Sequence, residues 1–305
     1  MHTYLITGGA GFIGTNIAEY IVENEKDARI IVVDDLSART DPSRLPPSVE
    51  FHQGDVRDTE ALERIMRGVD IVIHLAALPR VQFSIEEPQQ THDVNVNGTL
   101  SVLVAAKEAG VKRVVYAASS SAYGDQEVLP LSEQLPAQPK SPYALQKYMG
   151  EGLMKLWSDI YEVPTVSLRF FNVYGPHMDP DGPYALVIGR FLKMRTEGKP
   201  LLITGDGTQT RDFTHVQDIA RAVLCASGSD RVGHGEVLNV GAGRNVSIND
   251  LAKLIGGAIE FTAPRIEPKH TCADIDLIRS HLEWEPTVTL EEGIAELKKE
   301  WGIVE

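Results

Sequence analysis

The segment Tyr143-Ala144-Leu145-Gln146-Lys147 sets a phenol and an ammonium four residues apart, which on a helix is one face. A free tyrosine has a pKa of about 10 and is a poor base near neutrality. An ammonium alongside, helped by a second cation at the site, favours phenolate and lowers that value. Tyr143 can then take the proton of a substrate hydroxyl while hydride leaves the same carbon for a cationic ring. A further hydroxyl is offered by Tyr116-Ala117-Ala118-Ser119-Ser120-Ser121-Ala122-Tyr123-Gly124, at the end of an apolar run, where open α/β sheets place ligands. Ser119 is read as the group that hydrogen-bonds the reacting oxygen and passes its proton to Tyr143. Ser120 is placed at the substrate, and otherwise Ser120 and Ser121 cap the turn or face solvent. Taken alone, a Tyr/Lys pair at this spacing is an ordinary feature of amphipathic helices.

A glycine loop far upstream changes its meaning. Tyr4-Leu5-Ile6 runs into Thr7-Gly8-Gly9-Ala10-Gly11-Phe12-Ile13-Gly14. Gly8 lets the chain turn, Gly11 lets backbone approach a pyrophosphate, and Gly14 lets the following helix pack close; the helix N-terminus offers its N–H groups to the anion. Phe12 and Ile13 open that helix. The second apolar run ends in Val33-Asp34-Asp35-Leu36. An acid at that point accepts from ribose hydroxyls and repels a 2′-phosphate, which favours NAD over NADP, with Arg39 nearby as a counterweight. Asp55 and Val56 are placed to bracket adenine. His74-Leu75-Ala76-Ala77 closes the fourth run with small residues past which a cofactor threads; His74 itself is read as structural.

These groups need a scaffold, and the pattern supplies one. Strands are expected at 3–7, 29–34, 49–52, 69–75, 112–118 and 165–169, and helices at 12–24, 58–67, 91–109 and 141–161. Short β-branched runs alternating with helices mean βαβ units and a parallel sheet covered on both faces. The fold class read from this is α/β, a Rossmann-type doubly wound parallel sheet over 1–168, with a smaller C-terminal substrate-binding lobe over 169–305 and a return of 212–235 to the first part. Of 305 residues, 29 are Lys or Arg and 43 are Asp or Glu, for a formal net charge of −14. That balance argues against nucleic acid and anionic membrane as partners. Two cysteines, Cys225 and Cys272, make neither a disulfide framework nor a metal spacing. No signal peptide and no membrane-spanning run is read, so a cytoplasmic location is expected.

On Thr7–Gly14, Asp55-Val56, His74–Ala77, Asn95-Val96-Asn97-Gly98-Thr99, Ser119–Gly124, Tyr143–Lys147, Arg169-Phe170-Phe171-Asn172-Val173-Tyr174-Gly175-Pro176, Gly205-Asp206-Gly207 with Arg211-Asp212-Phe213, and Trp284-Glu285-Pro286, the chain resembles the extended short-chain dehydrogenase/reductase family. It is most similar to the nucleotide-sugar 4-epimerases acting on UDP-glucose, UDP-galactose and UDP-N-acetylglucosamine. The resemblance implies tightly bound NAD that takes hydride from C4 of a UDP-sugar and returns it to the opposite face. It implies that Leu36, Asn95, Ala117, Phe170 and Val173 also line the cofactor. It implies that Asn172 and Arg211 hold the diphosphate and that Val187, Leu202 and Thr204 flank the base. It places Pro79, Arg80 and Ser84 near the sugar or phosphate. Arg211 in a surface ion pair is the plainer alternative.

Departures from the family pattern refine the reading. The 4,6-dehydratases and UDP-glucuronate decarboxylases carry acids just after the residue matched to Ser119. Here Ser120 and Ser121 stand there, and a serine has no pKa suited to removing a carbon-bound proton. No Lys or Arg lies from Phe170 to Gly189 to meet a uronate carboxylate. Glu267 matches the family's ribose-binding acid, and Arg265 sits one residue closer to it than the usual phosphate-binding arginine. Thr271 matches the gate at the sugar's C2 substituent, and its small size implies that N-acetylhexosamines fit as well as hexoses. Family members commonly dimerise through two helices, here 91–109 and 141–161, so a homodimer is expected; Val102, Val104, Leu153 and Leu156 face either core or partner.

Overall fold

The computed structural model describes residues 2–38, 40–180, 187–264 and 269–303. Its first half runs β1 (Thr3–Thr7), α1 (Phe12–Asn24), β2 (Arg29–Asp34), β3 (Glu50–Gln53), α2 (Thr59–Ile65), β4 (Ile71–His74), α3 (Val81–Glu86), α4 (Pro88–His92), α5 (Gly98–Ala109), β5 (Arg113–Ser119), α6 (Pro142–Tyr161) and β6 (Thr165–Phe170). The expected helix over 91–109 is broken by a π-helical stretch at Asp93–Asn97. The second half contributes β7 (Val173–Tyr174), α7 (Val187–Thr196), β8 (Leu201–Thr204), β9 (Thr210–Arg211), β10 (Thr214–His215), α8 (Val216–Gly228), β11 (His234–Val240), β12 (Val246–Ser247), α9 (Ile248–Ile255), β13 (Ile259–Thr262), α10 (Asp276–Leu282) and α11 (Leu290–Glu300).

One seven-stranded sheet carries the fold, in the order β11-β6-β5-β4-β1-β2-β3, with every neighbouring pair parallel. The period of two along each strand sorts its side chains between two cores. Ile6, Val32, Ile73, Val115 and Leu168 meet Ile17 and Ile21 of α1 and Ile219 and Val223 of α8 on one face. Leu5, Ile31, Val72 and Val114 meet Leu62 of α2, Leu103 and Ala106 of α5, and Met154 and Trp157 of α6 on the other. Strands buried on both faces need apolar residues at every position, which is why they read as continuous runs. The order reverses between β1 and β4, and the strand ends there form the crevice of a doubly wound sheet.

The division into layers does not follow a single cut in the chain. β11 pairs with β6, and Ile275, Ile278, Leu282 and Trp284 join the first core. A separate core holds Ile188, Phe191, Leu201, Phe213, Leu251, Ile255, Leu290 and Leu297, braced by three two-stranded sheets. Of the positions left open between core and partner, Val102 is fully buried, Val104 and Leu153 are partly buried, and Leu156 is 44% exposed. No described helix is long and apolar enough to cross a membrane.

Candidate active site

The glycine loop sits at the reversal point of the sheet. Gly8 has φ +69°, and a Cβ on it would lie 2.8 Å from the backbone N and Cα of Ala76. Only glycine lets the ends of β1 and β4 approach so closely. A Cβ on Gly14 would lie 2.5 Å from Cα of Gly9, so α1 packs directly on the loop. Gly11 is the N-cap of α1 and brings no side chain to the first N–H groups. Phe12 and Ile13, half-buried, follow it.

Asp34, at the end of β2, holds the loop from the side. Its carboxylate accepts from Ala10 N at 3.1 Å, Leu36 N at 2.9 Å and Thr40 Oγ1 at 2.9 Å. Burial holds its pKa above the ordinary range, opposed by those bonds. Asp35 is exposed and folds back on Ser37. Arg57 pairs with Asp55 at 2.5 Å and with Asp93 at 2.6 Å, beside buried Val56. Leu75, Ala76 and Ala77 are half-buried beyond β4. A glycine cradle, a bare helix N-terminus and a carboxylate at the neighbouring strand end are the donor set and clearances a dinucleotide needs, so these residues fit NAD. Arg39 lies outside the described residues.

Two expected contact residues are engaged within the protein. Asn95, expected on the cofactor, is 1% exposed. Its amide accepts from Leu78 N at 2.7 Å and donates to Leu78 O at 3.2 Å and to Gln146 Oε1 at 2.8 Å, which uses both of its N–H groups. Ser84, expected near the sugar, is fully buried. Its hydroxyl donates to Val81 O at 2.7 Å and accepts from Tyr143 N at 3.1 Å.

His74 is structural in this geometry. Thr99 Oγ1 donates to Asn95 O at 2.7 Å, so at 2.9 Å from His74 Nε2 it must accept. Nδ1 then accepts from Thr7 Oγ1 at 2.7 Å. The ring is buried, and burial followed by the Lys147 charge pushes its pKa down to about 3, so it stays neutral.

The catalytic candidates converge at the end of β5. Ser119 is the N-cap of a 3-10 turn at Ser120–Tyr123, and its Oγ accepts from Ser121 N at 3.2 Å and Ser121 Oγ at 2.9 Å. Ser141 caps α6 by accepting from Ala144 N at 3.1 Å, and Pro142 at the first helical position has no N–H to satisfy. Tyr143 follows, close enough to Ser119 for that residue to favour the phenolate. One turn on, Lys147 is 3% exposed; its Nζ donates to Ala117 O at 2.8 Å and lies 4.9 Å from the Tyr116 ring centroid.

The electrostatics depart from the expected acidified phenol. Burial pushes Tyr143 up to about 12, against a lowering from Ser119. Burial also pushes Lys147 down to about 7, so near neutrality it is only partly charged. Desolvation is the largest influence on both groups.

A cavity of about 260 Å³ brings together Asn172, Val187, Leu202, Thr204 and Arg211. Those five were expected around one nucleotide. Val173, expected on the cofactor, is a wall of this cavity too, while Phe170 is buried at the end of β6. Asn172 Nδ2 donates to Asp212 O at 2.9 Å. Asp212 is buried, its pKa raised to about 6 by burial, and its carboxylate accepts from Ala242, Gly243 and Ala273 N at 2.7, 3.0 and 3.0 Å. That fastens β9, with Arg211, to the segment holding Thr271, whose Oγ1 accepts from Asp212 N at 3.4 Å. The same segment bridges to Leu131, downstream of Ser119. Pro79 and exposed Arg80 follow β4 on the loop into α3. Arg265 and Glu267 lie outside the described residues.

Sequence reasoning missed Gln209, Phe213, Ile248 and Arg190 in this cavity. Arg190 follows directly on the cation-free stretch that ended at Gly189. Its spacing of three from Val187 on α7 was the available signal.

The profile of the NAD dependent epimerase/dehydratase family matches residues 4–241. The chain is 37% identical to a putative UDP-glucose 4-epimerase of Methanocaldococcus jannaschii over 95% of both chains. It is 36% identical to a UDP-glucuronate 4-epimerase of Thermodesulfobacterium geofontis over 96% of this chain and 94% of that one. Its fold superposes with a TM-score of 0.92, at 33% identity and over 99% and 98% of the two chains, on the UDP-N-acetylglucosamine 4-epimerase of Methanobrevibacter ruminantium solved with UDP-N-acetylmuramic acid. With the glycine cradle, the Ser119–Tyr143–Lys147 cluster and the cavity lined by Asn172 and Arg211 on one scaffold, the chain belongs to the NAD dependent epimerase/dehydratase family, as a nucleotide-sugar 4-epimerase-like extended short-chain dehydrogenase/reductase with NAD as its cofactor.

Proposed function

We propose that this protein is a UDP-hexose 4-epimerase that interconverts UDP-glucose and UDP-galactose and accepts the N-acetylhexosamine forms. The observation that carries the reading is the convergence of Tyr143, at the start of α6, on Ser119 at the end of β5, where Ser119 favours the phenolate, with Lys147 one turn along α6. Bound NAD supplies a hydride acceptor at C4 and gives the hydride back, so the cycle needs no added oxidant. Tyr143 removes the O4 proton and later returns it. Ser119 holds O4 and carries the proton across. Lys147 holds the cofactor ribose. Its partial charge leaves the remaining lowering of the phenol to the positive ring of the oxidised cofactor. Asn172 and Arg211 grip the diphosphate in a charge-assisted fork, and Val187, Leu202 and Thr204 enclose the base. Held by its nucleotide, the 4-keto sugar can turn to present its other face.

Serines at positions 120 and 121 supply no acid for elimination, which supports epimerisation over dehydration. Arg190 in the cavity wall favours a second reading, a uronate substrate whose carboxylate it meets. The test is incubation of the purified protein, without added cofactor, with UDP-glucose, UDP-galactose, their N-acetyl forms and UDP-glucuronate. C4 inversion of the neutral sugars is expected. Inversion confined to the uronate supports the second reading, and a dehydrated product defeats both. We also propose a homodimer. Leu145, Met149, Leu156 and Ile160, all more than 40% exposed, form one stripe on α6, and an apolar stripe of this kind fits a second copy of itself.

A further inference from the structure

Four buried polar side chains tie the helix of the catalytic tyrosine to the segment from Leu78 to Asn95. At the start of α6, Pro142 lacks an N–H, Ser141 serves Ala144, and the orphan donor of Tyr143 is met by Ser84 Oγ at 3.1 Å. Ser84 in turn donates to Val81 O at 2.7 Å. One turn along, Gln146 Oε1 accepts from Asn95 at 2.8 Å and Gln146 Nε2 donates to Thr91 Oγ1 at 3.0 Å. Asn95 grips both backbone groups of Leu78, and Thr91 donates to the carbonyls of Glu87 and Pro88, both at 3.2 Å. Ser84, Thr91, Asn95 and Gln146 are each at most 3% exposed.

Apolar residues of similar size would fill this space at lower desolvation cost. A satisfied polar chain instead fixes one register between two elements, because any slip strands a buried donor or acceptor. The segment so fastened begins with Pro79 and Arg80, and the helix so fastened carries the base. We propose that Ser84 is a positioning residue: it holds the backbone of Tyr143 at one distance from the substrate-side segment and so keeps the phenol against Ser119. The proposal rests on Tyr143 being the base.

Ser84→Thr and Ser84→Val test it, since the two share shape and added bulk and differ only in the hydroxyl. Both are compared as holoenzyme for kcat, KM, thermal midpoint and the pH dependence of kcat/KM, on whichever UDP-sugar of the panel is turned over. The valine variant is expected to lose roughly 10- to 100-fold in kcat relative to threonine, with KM within about twofold. The limb on which the rate rises with pH moves to higher pH, because a phenol displaced from Ser119 loses the neighbour that favours its anion. Equal kcat and an unmoved limb in the two variants overturn the proposal, whatever their thermal midpoints, since a merely stabilising hydroxyl changes only the midpoint. If the valine variant does not fold, Ser84→Ala against wild type gives the same readout without added bulk. Tyr143→Phe separates the two layers. An active Tyr143→Phe enzyme overturns the base assignment and this proposal together. A dead one beside equal threonine and valine variants overturns the positioning role alone.

Discussion

Replacing Lys147 by methionine turns the electrostatics of the site into a stability measurement. Lys147 is 3% exposed, and burial lowers its pKa from 10.5 to about 7. The unfolded chain keeps this ammonium charged up to about pH 10.4. Between the two values the unfolded state therefore holds more protons than the folded one, and stability rises with pH across that window. Below pH 7 the full penalty applies, and the drop from 10.5 to about 7 corresponds to roughly 5 kcal/mol at about 1.4 kcal/mol per pH unit. Methionine fills the same channel without charge. It forfeits the bond to Ala117 O, worth about 1 kcal/mol net. Cofactor-free Lys147→Met is thus expected to be more stable than wild type by about 3–4 kcal/mol at pH 6, with the gap shrinking above pH 7 and gone near pH 10. Turnover is expected to be lost, since the proposed mechanism has this ammonium hold the cofactor ribose. Urea unfolding of both cofactor-free proteins at pH 6, 8 and 10 measures the gap. A variant less stable than wild type at pH 6, or a gap that ignores pH, would refute the argument that burial of an ammonium is stored at this site.

Gly8→Ala forces a Cβ to 2.8 Å from the Ala76 backbone at φ +69°; the left-handed conformation alone costs about 1–2 kcal/mol, and the variant should purify with little NAD. Wild-type NAD released on denaturation would count against the cradle. Thr271→Tyr should abolish turnover of the acetamido sugars while sparing the hexoses, and equal loss on both classes in a competition assay would remove Thr271 as the gate. Ile160→Asp, on the exposed stripe of α6, should shift a dimer to monomer in light scattering; an unchanged mass places the interface elsewhere or denies it.

Much of this architecture is legible in the chain because it is local. The runs at 3–7 and 29–34 become strands with those bounds, since β-branched residues buried on both faces leave few alternatives. The helix expected over 141–161 begins where Ser141 and Pro142 direct it. The helix expected over 91–109 kept its place and lost its regularity. Its π-helical stretch coincides with Asn95 turned toward the Leu78 backbone, a partner 17 residues away that periodicity does not report.

What the sequence by itself determined is the parallel sheet, the glycine cradle and the pairing of Tyr143 with Lys147, because strand burial, a turn and an i, i+4 face depend on neighbours in the chain. Tertiary structure alone decided that Ser84 and Asn95 face inward, that Arg190 lines the cavity, and that β11 returns to the sheet beside β6. It also decided the charge states. A side chain's pKa depends on how much water the rest of the molecule strips from it, and that is set only when distant segments close around it.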